Sequence, residues 1–222
     1  VDSLPKDIKI EFLAKIDIEN RMKCSRNHTA THLLQQSLMS ILGEHIQQKG
    51  SLVCADYLRF DFTHFSKISE EDLRLIEIDV NNKLLSNIQL QEHLDLPVGE
   101  AKNLGAIMLF GEKYDDTVRM IQFGESKELC GGTHVNQTGE IGLFKILSES
   151  SIASGVRRID AITGLEVLNH LTSQVNVIDK LKTLFKSSDF IKVAQDTVSE
   201  NKKLQKKIEL LKKERAIVLK QN

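Results

Sequence analysis

Apolar residues recur at helical spacing in two stretches of the first half of the chain. Asn27 is a suitable N-cap and Gly43 a suitable stop, so a helix is predicted between them. A capping sequence that begins at Ser69 precedes the second helix. The apolar positions are Leu33, Leu34, Leu38 and Ile41 in the first predicted helix and Leu73, Ile76, Val80 and Leu84 in the second.

Alternating apolar and polar residues predict strands around these helices. The predicted segments are 8–13 (a strand or the tail of a preceding element), two strands within 50–62, then 88–93, 106–110, 118–123, 142–150 and 156–163. Pro97 is expected in the first turn of a short helix. Because helices and strands do not alternate as regular βαβ units, the predicted fold class is α+β, with a mostly antiparallel sheet packed against helices.

The last quarter of the chain has only helical spacing. Apolar positions from Leu168 to Leu181 predict one helix, residues 186–189 a break, and positions from Phe190 to Val218 a second helix. Such a pair is typical of a helical hairpin or a modest coiled coil. The predicted organisation is therefore a tail of a preceding element at 1–16, a main domain at 17–164 and a helical segment at 165–222.

The composition narrows the class of protein. In 222 residues, 41% hydrophobic and 27% charged content is ordinary for a globular chain. No apolar run approaches the roughly 20 residues that span a bilayer, and three cysteines are too few for a disulfide framework, so a cytoplasmic protein is expected. The chain begins with Val1 rather than Met, which we interpret as an internal piece of a longer protein.

The charge is unevenly distributed along the chain. The net charge is −1, but residues 192–222 hold nine Lys and Arg against four Asp and Glu. This basic helix would either contact phosphates or present a solvated face, and the sequence favours neither.

Two pairs of candidate metal ligands share the same spacing. His28 and His32 stand one helical turn apart, which brings their Cβ atoms to roughly 5–6 Å. Cys130 and His134 repeat the spacing about a hundred residues later. One thiolate and three imidazoles suit tetrahedral Zn²⁺. Because the pairs are distant in sequence, the metal is predicted to lie inside a folded domain.

Five segments in this order resemble one known family. They are RNHTATHLL at 26–34, HIQQKGS at 45–51, LRFDF at 58–62, LCGGTH at 129–134 and GVRRI at 155–159. Together they are similar to the editing domain of bacterial-type alanyl-tRNA synthetases, over about residues 17–164. The helical tail resembles the segment that follows that domain. No part of this sequence resembles the class II signature segments of the ATP-dependent ligase core, so a fragment is expected.

The resemblance implies hydrolysis of the ester of mischarged seryl- or glycyl-tRNA(Ala), within an enzyme that attaches alanine to tRNA(Ala) using ATP. A pocket for alanine rejects serine or glycine by only about 1–3 kcal/mol, so a second, hydrolytic site is needed. The implied partners are the acceptor end of tRNA(Ala) and the remainder of the synthetase chain, with no membrane; the oligomeric state stays open.

The resemblance also implies roles for single residues. The zinc ligands would be His28, His32, Cys130 and His134. Gln48 would orient water or the ester carbonyl, and Thr31 would contact a seryl hydroxyl; the alternative for both is an ordinary surface side chain.

The remaining expected contacts are to the substrate or the tRNA. Gly131, Gly132 and Thr133 would contact the substrate, with the glycine amides facing the carbonyl oxygen, or would form only a tight turn. Arg157 and Arg158 alternate along a strand, so one of them would hold a phosphate or support the ligands and the other would form a surface ion pair.

Competing interpretations remain at this stage. Four protein ligands normally close a structural zinc site, whereas a catalytic site keeps one position open, and the sequence does not decide between them. One alternative is a free-standing trans-editing deacylase, although such proteins usually lack the helical tail. Another is a non-enzymatic module with structural zinc that binds RNA or a partner. An unrelated zinc hydrolase is disfavoured because no Glu follows His28 as in H-E-x-x-H.

Overall fold

A computed structural model describes residues 14–108 and 113–221, with side chains to residue 216. The predicted segment 8–13 therefore lies outside the described residues. The elements, in order, are α1 (Ile18–Leu42), β1 (Gln48–Val53), β2 (Leu58–Thr63), α2 (Glu70–Leu85), β3 (Gln91–Pro97), α3 (Val98–Asn103), β4 (Thr117–Phe123), β5 (Ser126–Leu129), a 3₁₀ turn (Thr138–Ile141), β6 (Phe144–Ala153), β7 (Val156–Thr163), α4 (Leu165–Phe185) and α5 (Phe190–Gln221).

The strands form two antiparallel sheets. One sheet has the order β1-β2-β7-β6, and the other has the order β3-β4-β5. Helices pack against these sheets, so the predicted α+β class with antiparallel sheets is confirmed. The two strands predicted within 50–62 are β1 and β2, and the segments predicted at 118–123 and 156–163 are β4 and β7.

The main core lies between α1, α2 and the four-stranded sheet. Leu33, Leu34 and Leu38 of α1 are fully buried, as are Phe60 and Phe62 on the inner face of β2. The predicted apolar positions of α2 join the same core at Ile76, Val80 and Leu84. Burying a side chain of this size stabilises the fold by about 1.5–3 kcal/mol. These buried leucines of α1 hold the middle of the helix against the sheet. Because His28 and His32 lie in the same part of α1, their position is fixed by the same packing.

The start of α1 corrects the sequence prediction. The helix begins at Ile18, capped by the carboxylate of Asp17, which accepts from the amide of Asn20 at 3.0 Å. Asn27 is therefore not an N-cap but lies mid-helix, almost fully buried. Its side-chain amide donates to the carbonyl of Cys54 at 2.8 Å and accepts from the hydroxyl of Thr163 at 2.7 Å. Instead of capping the helix, Asn27 links α1 to the turn between β1 and β2 and to the last residue of β7.

Several predicted strands are shifted. The segment predicted at 88–93 is β3, which runs Gln91–Pro97 and leads directly into α3, so Pro97 is the N-cap rather than part of the first turn. The segment predicted at 142–150 begins two residues later, as β6. In the described part of 106–110, only Ile107 makes a bridge, to Glu128, and residues 109–110 lie outside the described part. The short strand β5 was not predicted.

The chain divides into two compact units, Val1–Leu168 and Asn169–Asn222. The second unit contains most of α4 and all of α5. Lys186, in the break between these helices, has a left-handed φ of 50°, and Asp189 then caps α5 by accepting from the amide of Lys192 at 3.2 Å. The helices on both sides of 186–189 are therefore where the sequence predicts them. Among the described helices, none has the length and apolar content to cross a membrane.

Candidate metal centre

Four side chains with metal-binding atoms converge in the first unit. His28 and His32 come from the middle of α1, and Cys130 and His134 come from the loop that follows β5. One donor atom of each lies within 4.8 Å of the other three. The two pairs, distant in sequence, are thus brought together at a separation that one ion could bridge.

Cys130 contacts two of the histidines directly. Its Sγ lies 3.4 Å from Nε2 of His28 and 3.4 Å from Nε2 of His134. The backbone amide of Gly132 donates to the same sulfur at 3.4 Å. A sulfur that receives an amide hydrogen bond is stabilised as the thiolate, which is the form that binds metal.

The outer nitrogens of two histidines are held by the protein. Nδ1 of His28 lies 3.2 Å from the carbonyl oxygen of Thr133, so Nδ1 must carry the proton and Nε2 the free lone pair. Nδ1 of His134 lies 3.0 Å from the hydroxyl of Thr29, which also accepts from the amide of Val135 at 3.2 Å. Partners of this kind orient histidine ligands and select their tautomer.

His32 has a different partner. Its Nε2 lies 3.3 Å from a carboxylate oxygen of Glu128, and both side chains are buried. Its Nδ1 is also buried and has no hydrogen-bond partner among the described residues. A buried nitrogen without a hydrogen-bond partner destabilises the fold unless an ion or a water molecule binds it. The four donors are of the thiol and imidazole types that zinc prefers. The residues therefore fit a zinc ion.

Burial favours neutral groups in this centre. It lowers the pKa of His28, with the charge of Arg119 adding to the effect and the hydrogen bond to Thr133 opposing it. Burial lowers the pKa of His32 well below the usual value, and the proximity of His134, His28 and Arg119 lowers it further. Burial also lowers the pKa of His134 to about 3. All three imidazoles are thus neutral at pH 7, as metal binding requires.

The two acids of the centre shift the other way. Burial raises the pKa of the Cys130 thiol, against the hydrogen bond from Gly132. Burial raises the pKa of Glu128 to about 8. Without a cation, the contact between Glu128 and His32 is therefore a hydrogen bond between neutral groups rather than an ion pair. A bound cation would favour the thiolate and the carboxylate.

The three residues between the loop ligands lie at the centre. The carbonyl of Thr133 accepts from His28, and Gly132 packs against the His28 ring. Gly131 is exposed, with open space where a Cβ atom would stand. Thr31 is buried on α1, where its hydroxyl donates to the carbonyl of Asn27 at 2.8 Å.

The other predicted site residues lie on the four-stranded sheet. Gln48 begins β1 opposite Phe62 and is half-buried. On β7, Arg157 pairs with Glu149, and Arg158 donates twice to Asp61, at 2.6 and 2.7 Å. Both arginines are therefore held in ion pairs within this sheet.

Sequence reasoning missed three residues that support the ligands: Thr29, Glu128 and Arg119. Thr29 directly follows His28 in the sequence, so the presence of a hydroxyl beside a candidate ligand was visible from the sequence alone. Arg119 on β4 contacts the residues that follow β5, and Glu128 on β5 contacts His32 of α1. Because the sequence did not predict β5, no local signal pointed to either residue.

Known sequences similar to this chain include those of tRNA synthetases. Residues 118–160 match the sequence model of a family described as the threonyl and alanyl tRNA synthetase second additional domain. The chain is 51% identical over 213 residues to an alanine–tRNA ligase of Flavobacterium psychrophilum, covering 96% of this chain and 24% of the relative. It is 50% identical over 219 residues to that of Bacteroides fragilis, covering 98% and 25%, and 45% identical over 222 residues to that of Parabacteroides distasonis, covering 100% and 25%.

The α+β fold with antiparallel sheets is consistent with the second additional domain of threonyl and alanyl tRNA synthetases, whose sequence model matches residues 118–160. More narrowly, the chain belongs to the alanine–tRNA ligase family, and it spans about a quarter of the length of the curated relatives it matches.

Proposed function

We propose that this chain is the editing part of an alanine–tRNA ligase, and that it hydrolyses the ester of seryl- or glycyl-tRNA(Ala). The observation that carries the proposal is the convergence of His28, His32, Cys130 and His134, supported by the hydrogen bonds that hold the far nitrogens of His28 and His134. The substrate would be the acceptor end of tRNA(Ala), and the remainder of the ligase, which attaches alanine using ATP, would be a partner.

Zn²⁺ is the proposed cofactor, held by those four residues. When bound, it would supply a Lewis acid beside the ester or an anchor for the amino group of the substrate. Four protein residues would fill a tetrahedral zinc site, so one of them would have to give way, or the site would have to accept a fifth group, for substrate to reach the ion. The far-nitrogen contacts of His28 and His134 would keep those two ligands oriented in either case.

The other residues are proposed to handle the substrate. Gln48 would orient the attacking water or the ester carbonyl. The Thr31 hydroxyl donates to a backbone carbonyl, which leaves its lone pairs to accept from a seryl hydroxyl. The amide of Gly132 donates to Cys130. The amide of Gly131 would therefore be the one that donates to the carbonyl oxygen of the ester, and Thr133 would complete the turn that contacts the substrate.

Contacts to the tRNA backbone are assigned to β7. Arg157 and Arg158 would exchange part of their carboxylate contacts for phosphate, since guanidinium binds both groups in the same bidentate way. The proposed domain limits are 17–164 for the editing domain and 165–222 for the helical segment. A cytoplasmic location is supported by the three free cysteines.

The test is hydrolysis of seryl-tRNA(Ala) and alanyl-tRNA(Ala), measured for this chain and for a full-length ligase that contains it. The wild type is expected to hydrolyse the seryl ester selectively. Cys130→Ala is expected to lose both zinc and hydrolysis, whereas Gln48→His is expected to keep zinc and lose hydrolysis. Equal hydrolysis of both esters, or of neither, by the full-length wild type would overturn the proposal.

A second candidate is a module in which zinc is only structural and the chain binds RNA or a partner. The closed set of four donors favours it. The same variants separate the two functions, because a structural site predicts that Gln48→His leaves every measured property unchanged.

A further inference from the structure

Arg119 holds the ligand loop from the neighbouring strand. Its side-chain Nη1 donates to the carbonyl of Cys130 at 2.8 Å and to the carbonyl of Gly132 at 2.7 Å. Its Nε donates to the carboxylate of Glu92 on β3 at 2.6 Å. The backbone carbonyl of Arg119 also accepts from the amide of Cys130 at 3.1 Å. Arg119 of β4 thus makes three hydrogen bonds to two residues of the loop, Cys130 and Gly132, and one further contact to Glu92 of β3.

The second half of the loop has its own supports, since the amide of Val135 donates to Thr29 and the carbonyl of Asn136 accepts from the amide of Leu90 at 2.8 Å. Residues 130–136 have no strand or helix pairing, so their carbonyl groups need partners outside regular structure. Two of these carbonyls are directed to Arg119, and the carbonyl of Thr133 is directed to His28. The turn is therefore held between the guanidinium on one side and the first histidine ligand on the other.

We propose that Arg119 is a positioning residue of the metal centre, which sets where Cys130 Sγ stands relative to the three imidazoles by holding the carbonyls of Cys130 and Gly132. This rests on the proposed zinc site but not on the proposed hydrolysis. The side-chain contacts of Arg119 are to Glu92 and to two loop carbonyls and not to the four donor atoms, so its effect on the centre passes through the loop.

The geometry explains why this position needs arginine. Guanidinium has a fixed fork of donors, which can serve two carbonyls and a carboxylate at once in one plane. Glu92 fixes the rotation of that fork through Nε. A lysine would keep the positive charge but present its donors from one point, so charge and geometry can be separated by experiment.

The test uses Arg119→Gln and Arg119→Lys, with Arg59→Gln as the matched control because Arg59 also pairs with a carboxylate, that of Asp160 at 3.3 Å. Zinc affinity is measured by competition with a chelator, and the absorption of the cobalt-substituted protein reports the thiolate contact. Unfolding temperature is recorded for each variant so that affinity is measured on folded protein.

Both Arg119 variants are expected to lose zinc affinity by about 10-fold or more, as loss of supporting contacts usually costs, and to change the cobalt–thiolate band. Arg59→Gln is expected to match the wild type in both. Wild-type zinc affinity in Arg119→Gln, or full rescue by Arg119→Lys, would overturn the proposal. If the variants lose zinc as expected but the full-length wild type does not hydrolyse seryl-tRNA(Ala), the positioning role stands and the proposed hydrolysis fails.

Discussion

Gly132 packs against the imidazole of His28 so closely that a Cβ atom at position 132 would lie 2.2 Å from Cε1 and 2.5 Å from Nδ1 of that ring. At the neighbouring Gly131, a Cβ atom would meet nothing within 4 Å. The two adjacent glycines of the loop are therefore not equivalent. One is required by the approach of the loop to a ligand, and the other has space for a side chain.

The first prediction follows from this difference. Gly132→Ala is expected to push the His28 ring or the loop out of place, because separations under 3 Å cannot be accommodated without movement. We expect at least a 10-fold loss of zinc affinity, measured by chelator competition. Gly131→Ala is the matched control for metal binding and should retain wild-type affinity. Equal affinities in the two variants would contradict the packing described for Gly132.

A second prediction concerns the hydroxyl of Thr29, which bonds both His134 and the amide of Val135. Thr29→Val keeps the shape but leaves these groups without a partner in a fully buried position. The free energy of unfolding should fall by about 1–3 kcal/mol, and zinc affinity should fall with it. Urea unfolding and chelator competition measure the two effects.

Thr29→Ser is the control for that substitution, since it keeps the oxygen and removes only a methyl group. It should lie much closer to the wild type than Thr29→Val in zinc affinity. If both variants bind zinc alike, the hydroxyl does not orient His134.

A third prediction is the pH dependence of stability in the zinc-free protein. His134 has a pKa of about 3 when folded and about 6.5 when unfolded, so the unfolded chain binds more protons between these values. This contribution is present above pH 6.5 and is lost as the pH falls. Glu128 has a pKa of about 8 when folded against 4.5 as the ordinary value, so its contribution is present below pH 4.5 and is lost as the pH rises towards 8.

The lowered pKa values of His28 and His32 act in the same direction as that of His134. Stability from this centre should therefore peak near pH 6.5, which urea unfolding across pH 4–8.5 would measure. Glu128→Gln should remove the decline above the peak and leave the acid side in place. A decline of unchanged size in that variant would show that other groups cause it.

The parts of the fold that were predictable are those with local periodicity. The core residues of α1 and α2 follow helical spacing, and the spacing of His28 with His32 is itself a local pattern. The first turns of α1 were not predicted because residues 18–24 lie outside the core, so no apolar stripe marks them as helical. Asn27 was misread because its hydrogen-bond partners, Cys54 and Thr163, are distant in sequence.

Arg119 and Glu128, which support the candidate metal centre, could not be predicted because their contacts depend on where β5 lies in the fold. β5 has only four residues, Ser126–Leu129, and too few positions to show an alternating pattern. Without β5, the register that places Arg119 beside Cys130 could not be inferred, nor could the approach of Glu128 on β5 to His32 on α1. The four candidate ligands were identifiable because metal chemistry restricts the residue types and spacing of such a group.

Removal and restoration of zinc is the most direct test of the central claim that this centre edits mischarged tRNA. The full-length ligase would be assayed on seryl-tRNA(Ala) and alanyl-tRNA(Ala) as purified, after chelation, and after zinc is returned. The account predicts one zinc per editing domain and selective hydrolysis of the seryl ester, which is lost on chelation and recovered with zinc. Hydrolysis that persists at the same rate in zinc-free, folded protein would contradict it.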